Sequence, residues 1–254
     1  MGNDIRVSVV GAQGRMGSSV VSALAAAEGM TPALAVTADD DLGVVTPDNT
    51  DVAVEFTVPD ATLGNVLKLV EQGVSVVVGT TGWDDGKLSQ VRKALEKRSG
   101  PGSQSVFIAP NFAISAVLAD VFAAKAAPYF TSAEVIELHH PDKLDAPSGT
   151  AIHTARAIAS SRGQARCASM PDGTQGNTAS RGQVVDGVHV HAVRLEGLNA
   201  HEEVLLGNAG EQLVIRADSF DRSSFMPGVL LAVRKIASGD YPGLTVGLDT
   251  FLDL

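Results

Sequence analysis

Ile5-Arg6-Val7-Ser8-Val9-Val10-Gly11-Ala12-Gln13-Gly14-Arg15-Met16-Gly17 decides the reading of the chain. Ile5 to Val10 reads as a buried strand, and an Ala-rich helix is predicted from about Gly14 to Ala27. Glycines at such a strand-to-helix turn let the backbone approach a pyrophosphate, and the helix N-terminus adds N–H donors and a positive dipole. The spacing is G-x-x-G-x-x-G instead of the usual G-x-G-x-x-G. Alone it also describes a plain glycine-rich turn; the strand before it and the helix after it favour a dinucleotide turn.

Outward from this turn, short Val-rich runs alternate with helical stretches. Strands are predicted at Met30–Val36 (weakened by Pro32), Val52–Phe56, Val74–Val78 and Val106–Ala109. Helices fall at about Asp60–Gln72 and Asp84–Arg98, and Ser99-Gly100-Pro101-Gly102-Ser103 reads as a loop. This alternation implies βαβ units and a parallel sheet, and the near-continuous apolar strands fit a sheet covered on both faces.

The pattern changes after Pro110-Asn111-Phe112. An apolar helix over Ile114–Ala127 stops at Pro128, a strand covers Ala133–Leu138, and a helix runs over about Ser148–Ser161. A polar loop spans Ser169–Gly182. Strand-like segments follow at Val188–Leu195, His201–Leu206 and Gln212–Ala217, antiparallel if the glycine turns at 197–200 and 207–210 join neighbours. Ser224–Ala237 has helical spacing. The expected fold class is α/β: a Rossmann-like parallel-sheet domain at about 1–112 plus 222–254, and an α+β substrate and oligomerisation domain at about 113–221.

Composition narrows the function. The chain has 254 residues, 44% hydrophobic and 19% charged, with a formal net charge of −10. That balance argues against a nucleic-acid binder, which needs a broad basic surface. It leaves room for an anionic small substrate, because a few local cations can dominate one cleft. The single cysteine, Cys167, excludes an intramolecular disulfide and a cysteine-rich zinc site. The apolar runs are far shorter than a membrane span of roughly 20 residues, and Val7–Val10 is too short for a signal-peptide core. A cytoplasmic location is expected.

The usual dinucleotide fold places an acid roughly 20 residues beyond the glycine turn to hold the ribose hydroxyls. Thr37 stands there, and Asp39, Asp40 and Asp41 follow it. Arg15 could meet a 2′-phosphate, but the three acids would repel one. NADH and NADPH both remain candidates, with a tilt towards NADH. Gly79-Thr80-Thr81-Gly82 and Ala109-Pro110-Asn111-Phe112 also lie at strand ends, where ligands of open parallel sheets sit. With Gly11 to Met16 they outline one crevice.

Glu137-Leu138-His139-His140-Pro141-Asp142-Lys143-Leu144-Asp145-Ala146-Pro147-Ser148-Gly149-Thr150 is the segment richest in chemistry. Its prolines exclude a regular helix. His139, His140 and Lys143 fall within five residues. Pro147-Ser148-Gly149-Thr150 then opens a helix whose N–H groups and hydroxyls suit a carboxylate. A histidine can deliver a proton near neutrality, and a lysine can hold an anion or act as an acid. The bland alternative is a solvated loop before a capped helix.

This segment closely resembles the His-His-x-x-Lys-x-Asp-Ala-Pro-Ser-Gly-Thr motif of the 4-hydroxy-tetrahydrodipicolinate (dihydrodipicolinate) reductase family of lysine and diaminopimelate synthesis. The resemblance runs along nearly the whole chain and includes Gly11–Gly17, Phe56-Thr57, Gly79–Gly82, Pro110-Asn111-Phe112 and Asp218–Arg222. Val135-Ile136-Glu137-Leu138 resembles the actinobacterial branch. It implies reduction of the hydroxylated dicarboxylate to tetrahydrodipicolinate by NADH or NADPH, with loss of water. His139 then matches the proton donor/acceptor and Lys143 a second proton donor. His140, Gly149 and Thr150 match substrate positions, with Ser148 beside them. Gly11, Ala12, Gln13, Gly14, Arg15, Met16, Gly79, Thr80, Thr81, Ala109, Pro110, Asn111 and Phe112 match cofactor loops. Thr37 departs from the family's acid. The resemblance also implies a homotetramer built through the second domain's sheets. Two rivals are another Rossmann-type imine or amino-acid dehydrogenase and a non-catalytic nucleotide sensor.

Other features invite plainer readings. His189 and His191 share a strand face and with His201 could bind a metal, but polar sheet-face residues or subunit contacts are the expectation; no metal is expected. Cys167 reads as incidental, and His153 as structural. Asp142 and Asp145 read as loop-fixing, and Trp83 and Phe112 as packing aromatics.

Overall fold

The computed structural model describes residues 4–98, 104–176 and 178–252. The chain divides into two compact units, Met1–Phe112 with Arg222–Leu254, and Ala113–Asp221. The predicted loop at Ser99–Ser103 lies outside the described residues.

The first unit contains β1 (Ile5–Val10), α1 (Arg15–Ala26), β2 (Met30–Val36), β3 (Val52–Glu55), α2 (Thr62–Gln72), β4 (Ser75–Val78), α3 (Asp85–Glu96) and β5 (Ser105–Ile108). The second contributes α4 (Ile114–Ala126), β6 (Ser132–His139), α5 (Gly149–Gln164), β7 (Gln183–Val185), β8 (Val188–Arg194), β9 (Ala200–Asn208) and β10 (Glu211–Ser219). The chain then returns to the first unit as α6 (Met226–Ala237) and β11 (Gly243–Val246).

The first unit's strands form one parallel sheet in the order β11-β5-β4-β3-β1-β2. Alternate residues Val10, Ala53, Val76, Val78, Val106 and Ile108 meet Val66, Leu69 and Val70 of α2 and Val91 and Leu95 of α3. On α1 and α6, Val20, Leu24, Val229, Val233 and Ile236 are buried. Chain order reverses at β1, with β2 on one side and β3 on the other. That is the switch point where open parallel sheets bind ligands.

Pro32 does not break β2. It lies on the sheet's edge, where a missing N–H is tolerated. The β1–β2 register shifts between Val7 and Val9, and the buried Ser8 hydroxyl accepts the Leu34 N–H at 3.2 Å. β11 was not among the expected strands; its four residues extend the sheet beside β5.

The second unit's sheet runs β10-β9-β6-β8-β7. Its core joins Ala123 and Ala127 to Ala151, Ala155 and Ile158 of α5 and to Val135, Val188, Val190, Val204 and Leu206 of the sheet. The small alanines let α4 and α5 pack closely on one face. The sheet is mixed: the turn at 207–210 joins β9 and β10 as antiparallel neighbours, as expected, but the turn at 197–200 does not join paired strands. β8 and β9 are consecutive but not paired, because β6 lies between them. β6, α5 and β8 make a crossover unit, and such a unit requires parallel strands. β7 was missed; it joins β8 through Asp186-Gly187, both at positive φ (47° and 90°), the two-residue hairpin that Asp-Gly favours. α5 extends beyond the expected Ser161. The buried Arg162 donates to the carbonyls of Ala127, Phe130, Thr131 and Ala168, which anchors its last turn.

Candidate active site

In the first unit, the loops after β1, β3, β4 and β5 enclose a cleft of about 350 Å³. Gly14, Arg15, Met16, Gly79, Thr80, Thr81, Pro110, Asn111 and Phe112 line it, together with Phe56, Thr57, Pro59 and Phe225. The glycines are there because nothing larger fits. A Cβ on Gly11 would lie 2.2 Å from the Phe56 carbonyl oxygen, and one on Gly17 would lie 2.1 Å from that of Gly11. A Cβ on Gly79 would lie 2.0 Å from the Phe56 ring.

Gly11, Ala12, Gln13, Thr37 and Ala109 do not line the cleft. Gly11 and Ala12 hold it indirectly, since their N–H groups donate to Val36 O at 2.9 and 3.1 Å and tie the turn to the end of β2. Gln13 is exposed, and Ala109 is buried. Phe56 and Thr57 are fixed from below by Glu55, a fully buried carboxyl that accepts from Thr57, Thr62 and Asn65. The Thr57 N–H donates to Thr80 Oγ1 at 2.7 Å. Trp83 donates from its indole to the Thr80 carbonyl at 2.9 Å. The first helical turn of α1, capped by Gly14 without a side-chain bond, and the Phe56–Phe112 ring pair at 5.8 Å offer an anion end and an apolar end. These residues fit a dinucleotide.

Thr37 follows β2 beside this turn. Its N–H and hydroxyl both donate to Asp40 Oδ2 at 2.8 Å. Those bonds hold the Asp40 carboxyl below the usual carboxylate range.

In the second unit, Glu137 is the organising group. β6 alternates, with Ala133, Val135 and Glu137 facing the helices. Glu137 thus occupies an apolar position and is fully buried. Arg194 of β8 donates to Oε2 at 2.7 Å and to Oε1 at 2.8 Å. The Ser148 N–H donates to Oε1 at 3.0 Å, and His139 Nδ1 lies 2.5 Å from Oε2. Burial opposes the charge on Glu137, but the bonds from Arg194, His139 and Ser148 outweigh it and hold this carboxyl below its usual range. A carboxylate only accepts, so Nδ1 carries the hydrogen and Nε2 is left for chemistry. Burial pushes His139 below its ordinary 6.5, with the nearby charges of Lys143 and Arg194 in the same direction and Glu137 opposing.

Lys143 bonds Asp145 through its ammonium, which pulls the Asp145 carboxyl down. Asp145 also accepts the Gly149 N–H at 3.2 Å. Ser148 is the N-cap of α5, its hydroxyl accepting from Ala151 N–H at 3.2 Å. His140 is half-buried, and its carbonyl accepts the Lys143 N–H. Thus His139, Ser148, Gly149 and Lys143 meet through Glu137 and Asp145.

Sequence reading assigned no role to Glu137 or Arg194. Glu137 had a signal, a charge in the apolar phase of an alternating strand. Arg194 had none, because it reaches its partner across 57 residues of chain.

The remaining histidines are structurally engaged. His189 bonds the Arg181 carbonyl and Asp172, and His191 bonds Glu134, which Arg181 also binds. His201 bonds Asp218 at 2.7 Å, and His153 lies 3.2 Å from Asp120. Among the described residues no group of His, Cys, Asp and Glu side chains is arranged to hold a metal, and no helix is long and apolar enough to cross a membrane.

A parallel dinucleotide-type sheet with its glycine cradle, and a second unit presenting a carboxylate-clamped imidazole, define a two-part oxidoreductase. Residues 5–112 match the family described as dihydrodipicolinate reductase, N-terminus, and residues 114–252 match dihydrodipicolinate reductase, C-terminus. The chain belongs to the dihydrodipicolinate reductase family. It is 75% identical over 252 residues to the 4-hydroxy-tetrahydrodipicolinate reductase of Bifidobacterium animalis subsp. lactis, covering 98% of this chain and 100% of that one. It is 71% identical to the namesake enzyme of Bifidobacterium longum subsp. infantis, with the same coverage. A solved structure of a dipicolinate-bound dihydrodipicolinate reductase from a Paenisporosarcina species shares 33% identity and a TM-score of 0.83, over 98% of this chain and all of that one. The chain reduces 4-hydroxy-tetrahydrodipicolinate, using a nicotinamide nucleotide.

Proposed function

We propose that His139 is the proton donor of this reduction, that Lys143 is the second cation of the site, and that the cleft of the first unit binds the nucleotide. One observation carries the reading: the His139 ring is fixed by a buried carboxylate that also anchors Arg194 and the Ser148 N–H. A bound reduced nicotinamide supplies the hydride. The protein supplies the rest. Electron density that builds on the reduced substrate needs a proton, and His139 Nε2 is the group oriented to give it. The negative charge of Glu137 supports the imidazolium before transfer. Lys143 neutralises a substrate carboxylate or supports that transfer. The solved relative's dipicolinate is a dicarboxylate, and His140, Ser148, Gly149 and Thr150, at the start of α5, are the residues we assign to holding such anionic groups.

The preferred nucleotide is NADH. The ionised Asp40, pinned by Thr37, supplies an acid near the position of the missing ribose reader and disfavours a 2′-phosphate. The working assembly is a homotetramer in the cytoplasm. The face of the second unit's sheet away from its helices supports the oligomer, since one register row across it holds Val214, Leu205, Glu134, His189 and Val184. Val214 is 46% exposed and Val184 56%, so a partner is needed to bury them.

The test is oxidation of NADH and of NADPH with substrate generated in place by the preceding synthase. His139→Gln and Lys143→Ala are each expected to cut turnover roughly a hundredfold or more while nucleotide binding persists. Near wild-type turnover in both would overturn the assignment.

A further inference from the structure

Glu202 sits in β9, directly across the strand pairing from Glu137. Such antiparallel partners have Cβ atoms about 5 Å apart. Both side chains point to the helix-covered face, where Glu202 is 7% exposed and Glu137 fully buried. Two carboxyl groups therefore share one interior, but their partners differ. Glu137 has Arg194, His139 and the Ser148 N–H. Glu202 has a single hydroxyl, Thr154 Oγ1, 2.7 Å from its Oε1. Its Oε2 is buried without a hydrogen-bond partner.

The hydroxyl of Thr154 has one hydrogen and two neighbours: Glu202 Oε1, and the Thr150 carbonyl oxygen at 3.2 Å. A carbonyl can only accept. Both contacts become hydrogen bonds if Thr154 donates to Thr150 and Glu202 donates to Thr154, which requires a proton on Glu202. The surrounding charges agree. Glu137 faces Glu202 from β6 and Asp120 acts on it from α4, both negative, and Asp120 carries its own buried, unpartnered oxygen. On α5, His153 is largely exposed and paired with Asp120. From β10 the opposing residue is the neutral Ala217. Arg194 of β8 is bonded to Glu137. Burial, reinforced by the charges of Asp120 and Glu137, outweighs the Thr154 hydroxyl and the His153 charge and pushes Glu202 up to about 7.

We propose that Glu202 is a positioning residue for His139, held as a neutral acid that donates to Thr154 and leaves Glu137 as the one buried anion shared by Arg194 and His139. Through Thr154 it also steadies the Thr150 carbonyl in the first turn of α5. An ionised Glu202 would set a second anion beside Glu137, compete for Arg194 and strengthen the hold of His139 on its proton. The proposal builds on the assignment of His139 as proton donor. Its test reads titration instead of turnover, so it can fail while that assignment stands.

The experiment is a pH titration of the His139 ring by NMR in the full-length protein with labelled histidine, assigned by loss of the signal in His139→Gln. The wild type is expected to show two inflexions, its own below 6.5 and a second near 7 as Glu202 releases its proton. Glu202→Gln, a neutral isostere, is expected to keep the first and lose the second. Infrared difference spectra of the wild type are expected to show a protonated carboxylic-acid band that disappears as pH rises through about 7 and is missing from Glu202→Gln. Persistence of the second inflexion in Glu202→Gln, or no such band in the wild type at acidic pH, overturns the proposal. If His139 does not titrate, the infrared band alone decides.

Discussion

Arg194 grips Glu137 with both terminal nitrogens, at 2.7 and 2.8 Å, from the parallel strand next to it. It also donates to the Asp145 carbonyl at 2.7 Å and so ties the loop after β6 to β8. Removing one member of a buried pair leaves the other charge uncompensated, at a cost of about 3 kcal/mol or more. Arg194→Ala is therefore expected to lower Tm by several degrees and to cut kcat. The folded pKa of Glu137 is depressed, so its contribution is present above its ordinary 4.5 and is lost as pH falls through the lower folded value. Thermal unfolding against pH should show less acid-side loss of stability in Arg194→Ala than in the wild type. Equal acid-side loss in both would show that the pair contributes nothing.

Most of the first unit was legible because its strands are continuous apolar runs and its glycines punctuate them. The four residues of β11 were not, since Gly243-Leu244-Thr245-Val246 is no continuous apolar run and none of its residues is fully buried. In the second unit the strands could be located but not ordered. β6 enters the middle of its sheet through pairings with β8 and β9, which no local spacing reports. The His139–Lys143 loop stood out by composition, yet the carboxylate and guanidinium that position it come from a strand core and from 57 residues away.

The pH dependence of kcat/KM follows from the same carboxylate. As the proposed proton donor, His139 must carry a proton to give one. Burial lowers its pKa below 6.5, and Glu137 pulls it back up. The wild type should lose kcat/KM as pH rises through that depressed value. Glu137→Gln removes the upward pull, so the alkaline limb should move to lower pH. A limb that stays in place or moves up would show that Glu137 does not support the imidazolium.

Asp40 offers a test of nucleotide choice. Its Oδ2 is engaged twice by Thr37, which keeps the acid ionised and stationary at the end of β2. Asp40→Asn keeps the shape and removes the charge. Fluorescence titration with each nucleotide should show NADPH affinity rising relative to NADH. An unchanged ratio would place the discrimination elsewhere.

The open sheet face predicts assembly. Val214, exposed, lies at one end of that register row with Leu205 beside it. Val214→Glu puts a charge into the proposed contact without touching His139 or Lys143. If the proposed tetramer forms through this face, sedimentation should show the variant as smaller species than the wild type, whereas an unchanged assembly would assign the contact to another surface.

Gly17→Ala tests whether the glycine turn is a cradle or merely a bend. Gly17 lies in the first turn of α1 and is buried. Its backbone is helical, so alanine would ordinarily favour the helix. The obstacle is steric: the new Cβ would lie 2.1 Å from the Gly11 carbonyl oxygen and 2.9 Å from Ala12 Cα, both backbone atoms that cannot rotate away. Either α1 or the turn must shift, and Gly11 has little room, because its own position is set by Val36 O and by the Phe56 carbonyl. Displacement of the α1 N-terminus moves the N–H groups that would meet a pyrophosphate. NADH affinity should fall at least about tenfold, while the proposed anion site of the second unit, probed with dipicolinate, is unaffected. If calorimetry finds NADH bound as tightly as in the wild type, the pyrophosphate does not rest on this turn.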